Sequence, residues 1–466
     1  MASAPSAVNA PARPGGLARV VGASLIGTTI EWYDYFLYGS AAALVFGKLF
    51  FPHSDPLTGT LLSFLTYAIG FAARPIGALV FGHFGDRLGR KKLLVVSLLM
   101  MGISTALIGC LPTYGSIGIA APILLTALRI VQGFALGGEW GGAVLLVSEH
   151  GDPKRRGFWA SWPQGGAALG NLLAVGALTL LANVQTDATI LAWGWRIPFL
   201  LSAVLVGVGL WIRLSVEESP LFRQALANSE TRKAEQAREQ APLLAVLRHH
   251  WKDVLVAMGA RMAENISYYV ITTFILAYCV GHLKVEKQTA LNAVLIASAI
   301  QFFLIPMFGA LSDRIGRKPV YLAGAIGVGI WIWPFFAMVD TKSFGMITLA
   351  VTVALFFHSA MYAPQAAFFS EMFGTRMRYS GASIGAQFAS VAAGAPAPLI
   401  AVALLSSYGD STPISVYVGI AAVITVVAML FAKETRDRDL AEVGPSSGTT
   451  AGAATAQDLA ASGAGS

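Results

Sequence analysis

Long, continuous apolar stretches dominate this chain. Twelve are long enough to supply the about 20 helical residues that cross a hydrocarbon core. They lie near residues 20–50, 57–82, 91–112, 116–147, 157–182, 195–214, 253–281, 289–311, 319–339, 345–369, 380–406 and 413–432. Their continuity excludes the alternating, roughly ten-residue strands of an outer-membrane barrel. The first and fourth exceed what a bilayer needs, which predicts tilt or helix running beyond the core. Composition agrees: 55% of the 466 residues are hydrophobic and 12% charged, against about 25% charged in soluble domains. The pattern predicts an all-α integral membrane protein of twelve transmembrane helices.

The polar connections are asymmetric. One set carries Arg87, Arg90, Lys91 and Lys92; Lys154, Arg155 and Arg156; Arg223, Arg232, Lys233 and Arg238; Arg314, Arg317 and Lys318; Arg376 and Arg378. The other set carries only Lys48, Lys284, Lys287 and Lys342, with Arg196 at a helix start. By the positive-inside rule, both termini are expected in the cytoplasm of a plasma-membrane, bacterial inner-membrane protein. The net charge of +7 is thus an orientation signal, and no nucleic-acid partner is expected. The expected organisation is a disordered N-terminus (1–19), a six-helix bundle (20–214), a cytoplasmic linker (215–252), a second bundle (253–433) and a disordered tail (434–466). A monomer is expected, in contact with the lipid bilayer. Cys110 and Cys279 lie in apolar runs, so disulfide frameworks and Cys-based metal sites are excluded, and no cofactor or metal is expected.

The two halves repeat each other. Gly82-x-x-x-Asp86-Arg87-x-Gly89-Arg90-Lys91 follows the second span, and Gly309-x-x-x-Asp313-Arg314-x-Gly316-Arg317-Lys318 follows the eighth. Ser148-Glu149 is echoed by Ser370-Glu371, and Glu218-Ser219-Pro220 by Glu434-Thr435-Arg436. A parallel repeat of two six-helix units places a cavity at their interface near the midplane. These paired loops resemble the major facilitator superfamily over nearly the whole chain, which implies alternating access. Ile30-Glu31-Trp32-Tyr33-Asp34, the segment Arg129 to Gly142 and Trp193-Gly194-Trp195-Arg196-Ile197-Pro198-Phe199 narrow the resemblance to the metabolite:proton symporter branch. Members carry carboxylates such as shikimate, or proline and betaine. Arg261-Met262-Ala263-Glu264 is most similar to the shikimate-type members. The resemblance implies that Asp86 with Arg90 and Asp313 with Arg317 act in gates, together with Arg87, Arg314, Glu149 and Glu371. The alternative is that these are topology charges at a wet surface.

An ionisable group at bilayer depth costs at least about 2.5–3.5 kcal/mol, so each is a functional candidate. The set is Glu31, Asp34, Arg74, Arg129, Glu139, Arg261, Glu264 and His358. Glu31 and Asp34 are about 60° apart on a helix and can face one space. Arg129, Gln132 and Glu139 fall within about 80° on span four. By resemblance, an acid of span one faces the arginine of span four, so Asp34 is expected to pair with Arg129. Protonation would then free the guanidinium for a substrate carboxylate; the alternative is a permanent packing pair. Arg261 and Glu264 either neutralise each other or offer a second anion contact, beside Tyr268. Arg74 stands open between substrate contact and packing. Gln164 and Asn171 share one face of span five, and His358, Tyr362 and Gln365 one face of span ten; Gln387 lies on span eleven. All are candidate cavity residues. Trp331, Trp333, Phe335 and Phe336 are expected to form a lipid-facing or interfacial belt.

The expectation is a secondary transporter that moves a small organic anion with protons. The rivals are a symporter of a zwitterionic osmolyte and a non-transporting sensor of the same fold. No nucleotide loop, H-E-x-x-H or nucleophilic constellation points to an enzyme or a primary pump.

Overall fold

The computed structural model describes residues 14–88, 90–137, 153–215, 251–372, 389–394 and 396–436, with side chains assigned over most of them. The described residues form helices without strands. The N-terminal half contains α1 (Pro14–Ala41, continuing through a π turn at Ala42–Phe46 and on to Phe50), α2 (Pro56–Ala72, resumed over Arg74–Leu88) and α3 (Arg90–Cys110). It is completed by α4 (Ala120–Leu136), α5 (Arg156–Val184) and α6 (Arg196–Ser215). The C-terminal half contains α7 (Trp251–Tyr269), α8 (Lys287–Ile315), α9 (Arg317–Val339), α10 (Phe344–Met372), α11 (Ala397–Tyr408) and α12 (Thr412–Phe431). The interruption in α2 falls just before Pro75, whose ring removes one backbone donor and strains the preceding turn. A π turn at Ala42–Phe46 after α1 is matched by one at Val270–Phe274 after α7. The duplication seen in sequence thus extends to local helix geometry.

The halves meet along α5 against α8 and along α2 against α11. Buried apolar side chains from both halves form one continuous core. Large apolar side chains such as Phe303, Trp211 and Ile330 stand exposed on the outside, an arrangement suited to lipid. The expected aromatic belt is corrected here: Trp333 is exposed, but Phe335 and Phe336 are buried, Phe336 lying edge-on to Tyr278. Trp331 donates its indole N–H to the Ala350 carbonyl at 3.1 Å, so this segment mainly packs α9 against α10 and against the π turn at Tyr278–His282 that follows α7.

Glycine sets the tightest contacts. A β-carbon on Gly133 would fall 1.7 Å from the Gly70 carbonyl oxygen, and one on Gly77 1.9 Å from that of Phe134. α2 and α4 therefore touch backbone to backbone, as small residues allow in membranes. Gly133→Ala must push the helices apart and is expected to lower the thermal unfolding temperature of the detergent-solubilised protein by several degrees, an overpacking cost of about 1–3 kcal/mol. Gly22→Ala, with nothing within 4 Å of the added carbon, is expected to leave it unchanged; equal melting of both variants would contradict this packing.

Candidate functional site

In the N-terminal half, α1 delivers Asp34 to the centre of the bundle. Its Oδ1 accepts from the Ser202 hydroxyl of α6 at 2.5 Å, while Oδ2 makes no hydrogen bond. Arg129 of α4 is 1% exposed. Its Nη1 donates to Gln132 Oε1 at 3.0 Å, and Gln132 Nε2 donates to the Thr105 hydroxyl at 2.5 Å. The guanidinium carbon lies 4.3, 4.4 and 4.6 Å from the ring centres of Tyr35, Tyr38 and Tyr67. The direct Asp34–Arg129 pair expected from the sequence is not made in this conformation. Ser202 holds the carboxylate and three tyrosine rings hold the cation, with Thr105 and Gln132 between them. Glu31 is buried one turn before Asp34.

In the C-terminal half, Glu264 is the hub. Oε2 lies 3.6 Å from Arg261 Nε and accepts from Asn265 Nδ2 at 3.0 Å and Gln365 Nε2 at 3.1 Å, while Oε1 faces His358 Nε2 at 3.6 Å. His358 Nδ1 meets Gln301 Nε2 at 2.9 Å. Arg261, Glu264, Tyr268, His358 and Tyr362 line a cavity between the halves with Trp32, Asn265, Tyr269 and Gln301. It spans about 330 Å³ of empty space, open solvent included, little of it wide enough for water. Gln164 and Asn171 are not in its lining. They cross the half interface instead, donating to the Tyr362 carbonyl at 3.3 Å and to Ser298 at 2.9 Å. Gln365 sits behind the lining, bonded to Glu264 and to the Tyr321 hydroxyl. Glu139 and Gln387 lie outside the described residues.

At the end carrying the basic loops, Asp313 of α8 accepts from the backbone N–H groups of Gly157 and Phe158 in the other half, at 2.8 Å each. Arg317 donates to Asp313 at 2.6 Å and lies 3.2 Å from Glu371, which also pairs with Arg156 of the N-terminal half at 3.0 Å. Gly157 admits this contact, since a β-carbon there would meet Arg317 at 2.3 Å and the Gly309 carbonyl at 2.7 Å. Asp313, Arg317 and Glu371 are thus brought together. Arg314 is not: its side chain is exposed, and only its carbonyl joins, accepting from Arg436 at 2.7 Å. α2 carries Asp86 and Arg87, and α3 begins at Arg90, but the contacts of these side chains, and Glu149, lie outside the described residues.

Sequence reasoning passed over Arg156, read only as an orientation charge, and Ser202, Thr105, Gln301 and Trp32, whose roles depend on helix rotation. It also began the disordered tail at residue 434. Instead, Glu434 accepts from the backbone N–H groups of Arg317 (2.9 Å), Lys318 (3.0 Å), Thr435 (3.0 Å) and Arg436 (3.1 Å). Thr435 donates to Glu371 at 2.7 Å. The segment after α12 therefore caps α9 and completes the ion-pair cluster.

Apolar helices broken within their length, a cavity between two repeated bundles and buried charges on both sides of it define a membrane transporter of the major facilitator type. The profile of the sugar (and other) transporter family matches residues 20–446, and the chain belongs to that family, in its metabolite-transporter branch. The shikimate transporter of Escherichia coli (strain K12) is 40% identical, over 89% of this chain and 94% of its own. The inner membrane metabolite transport protein YhjE of the same strain is 38% identical over 91% and 95%. The glycine betaine/proline/ectoine/pipecolic acid transporter OusA of Dickeya dadantii (strain 3937) is 33% identical over 91% and 85%. Among solved structures, the partially occluded inward-open xylose transporter XylE from E. coli superposes with a TM-score of 0.69 at 19% identity, covering 91% of this chain and 99% of that one. The fold is the same.

Burial pushes the Glu434 carboxyl up, but the four backbone donors outweigh it and hold it below the ordinary glutamate value. Its contribution is complete above the unfolded glutamate pKa of about 4.3 and is lost as pH falls through the depressed value. In a melting series from pH 6 to pH 3, Glu434→Ala is expected to start less stable by about 1 kcal/mol, as for a lost helix cap, and to lose less on acidification than the unmodified protein. Parallel curves would show that Glu434 is not the titrating cap.

Proposed function

We propose that the protein is a proton-coupled symporter of a small organic acid that works by alternating access in the bacterial inner membrane, both termini cytoplasmic. One observation carries this reading. A buried carboxylate, Asp34, held by Ser202, and a buried guanidinium, Arg129, bonded through Gln132 to Thr105, stand near each other in one bundle but do not neutralise each other by contact. A carboxylate without a cation in contact binds a proton without breaking an ion pair. Once Asp34 is neutral, the positive charge of Arg129 lacks compensation in a low-dielectric interior and draws in a substrate anion. Proton and anion therefore enter together, and neither alone leaves the bundle balanced.

The names of the shikimate and YhjE relatives support a metabolite cargo, and that of the xylose symporter of the same fold supports proton coupling. The betaine-transporting relatives favour a zwitterion, but the aromatic faces that would hold a quaternary ammonium are already stacked on Arg74 and Arg129. The Asp313–Arg317–Glu371–Arg156 cluster serves as a cytoplasmic latch, because it joins the two halves where the inward route would open.

Right-side-out vesicles given an inward proton gradient are expected to accumulate radiolabelled shikimate, and a protonophore to abolish it. Asp34→Asn is expected to reduce accumulation at least about tenfold, the loss of the proton-driven step, while preserving exchange of internal for external substrate. Undiminished accumulation by Asp34→Asn would remove it as the proton site, and stimulation by betaine alone would overturn the organic-acid reading.

A further inference from the structure

Two buried guanidiniums crowd one tyrosine ring. Arg74 is 5% exposed and Arg129 1%. Their guanidinium carbons lie 4.7 and 4.3 Å from the centre of the Tyr35 ring, and Arg74 also stands 4.5 Å from that of Phe71. Among the described residues neither makes an ion pair with a carboxylate. Arg74 Nε, Arg129 Nε and Nη2, and the hydroxyls of Tyr35 and Tyr67 make no hydrogen bond of good geometry, although the Tyr35 hydroxyl lies beside that of Tyr67 and the Arg129 guanidinium. Stacking on an aromatic face returns about 2 kcal/mol when desolvated, less than the several kcal/mol of hydration each cation gives up. Five unused polar groups gathered around two cations match the two oxygens of a carboxylate, which takes fork-shaped contacts from arginine.

We infer that Arg74 and Arg129, with the Tyr35 and Tyr67 hydroxyls, form the carboxylate subsite for a hydroxylated monocarboxylic acid. This rests on the organic-acid reading above and specifies which acid. Among the described residues, the cation on the other side of the cavity is Arg261, and it has a carboxylate beside it. Arg261 is engaged by Glu264, whose carboxylate also receives Asn265 and Gln365. A second substrate carboxylate would meet Glu264 there and be repelled. The Tyr268 hydroxyl and Gln301 Oε1 are buried without hydrogen-bond partners, next to His358, whose Nε2 lies 3.6 Å from Glu264 Oε1, and such donors and acceptors suit alcohol groups. The substrate thus lies with its acid toward α2 and α4 and its hydroxyls toward α7, α8 and α10.

Aromatic rings separate the arginines from the cavity in this conformation. Tyr269, which lines the cavity, comes from the C-terminal half and packs against N-terminal rings: Phe71 at 5.6 Å, Tyr67 at 6.2 Å and Tyr35 at 6.5 Å between centres. Parting of the halves withdraws Tyr269 and opens the guanidiniums to the cavity. The subsite is covered when the halves are closed and uncovered when they separate.

The test is equilibrium binding to the purified full-length protein in detergent, with shikimate, its neutral carboxamide and the dicarboxylate 2-oxoglutarate as probes. Shikimate is expected to bind at least about 100-fold more tightly than the carboxamide and about tenfold more tightly than 2-oxoglutarate. Tyr35→Phe, which keeps the ring, is expected to weaken shikimate about five- to tenfold at an unchanged melting temperature, and Arg74→Lys about 30-fold or more. Glu264→Gln is expected to narrow the gap between 2-oxoglutarate and shikimate. If shikimate binds but both Tyr35→Phe and Arg74→Lys match the unmodified protein, or the carboxamide binds as well as the acid, the subsite is wrong. Equal binding of 2-oxoglutarate overturns the monocarboxylate assignment alone. Failure of the unmodified protein to bind any carboxylate removes the organic-acid reading and the subsite with it.

Discussion

The constraint on which this molecule turns is the cost of charge in hydrocarbon. A side chain such as Arg129 at bilayer depth persists only if its surroundings replace the water it lost. Here the replacement is partial: tyrosine faces and one glutamine amide hold the cation, while the carboxylate that could neutralise it is held apart by Ser202. A fully paired bundle would be inert. One with its charges close but not joined has a reason to take up a proton and an anion.

Close backbone contact makes that arrangement possible. Where Gly133 lies on Gly70, α4 comes near enough to α2 for Arg129 to reach rings from both α1 and α2. At the half interface, Gly157 against Gly309 brings the N-terminus of α5 under Asp313, so backbone donors of one half bind a carboxylate of the other. At the opposite end, Lys287 of α8 meets Asp187, just before α6, in a second inter-half ion pair. The two halves are therefore joined at both ends, which explains the narrowness of the cavity between them. The basic-end junction is a buried cluster with several cross-half contacts, whereas the other end has the Lys287–Asp187 pair, whose aspartate is exposed.

Much of this was legible in the sequence, because hydropathy and repetition are one-dimensional signals. Span positions, the internal duplication and the buried ionisable groups Glu31, Asp34, Arg74, Arg129, Arg261, Glu264 and His358 need only the chain and the thickness of a bilayer. Partners were harder to read. Asp34 and Arg129 were identified, but not that Ser202 and Thr105 would stand around them, because hydroxyls are common in membrane helices and their relevance depends on rotation about the helix axis. Gln164 and Asn171 share a face as expected, yet that face meets the other half and not the cavity. Arg156 and Glu434 looked like loop charges, and only tertiary contact makes one a cross-half ion pair and the other a cap on α9.

The central claim is that proton and substrate are bound together because Asp34 and Arg129 share one charge balance. The most direct measurement is proton exchange on binding, read with a pH-sensitive dye in weakly buffered detergent solution. Adding saturating shikimate to the unmodified protein should take up about one proton per site, the charge of one carboxylate offset, and Asp34→Asn should take up none while still binding. Binding without proton uptake, or equal uptake by both proteins, would contradict the account.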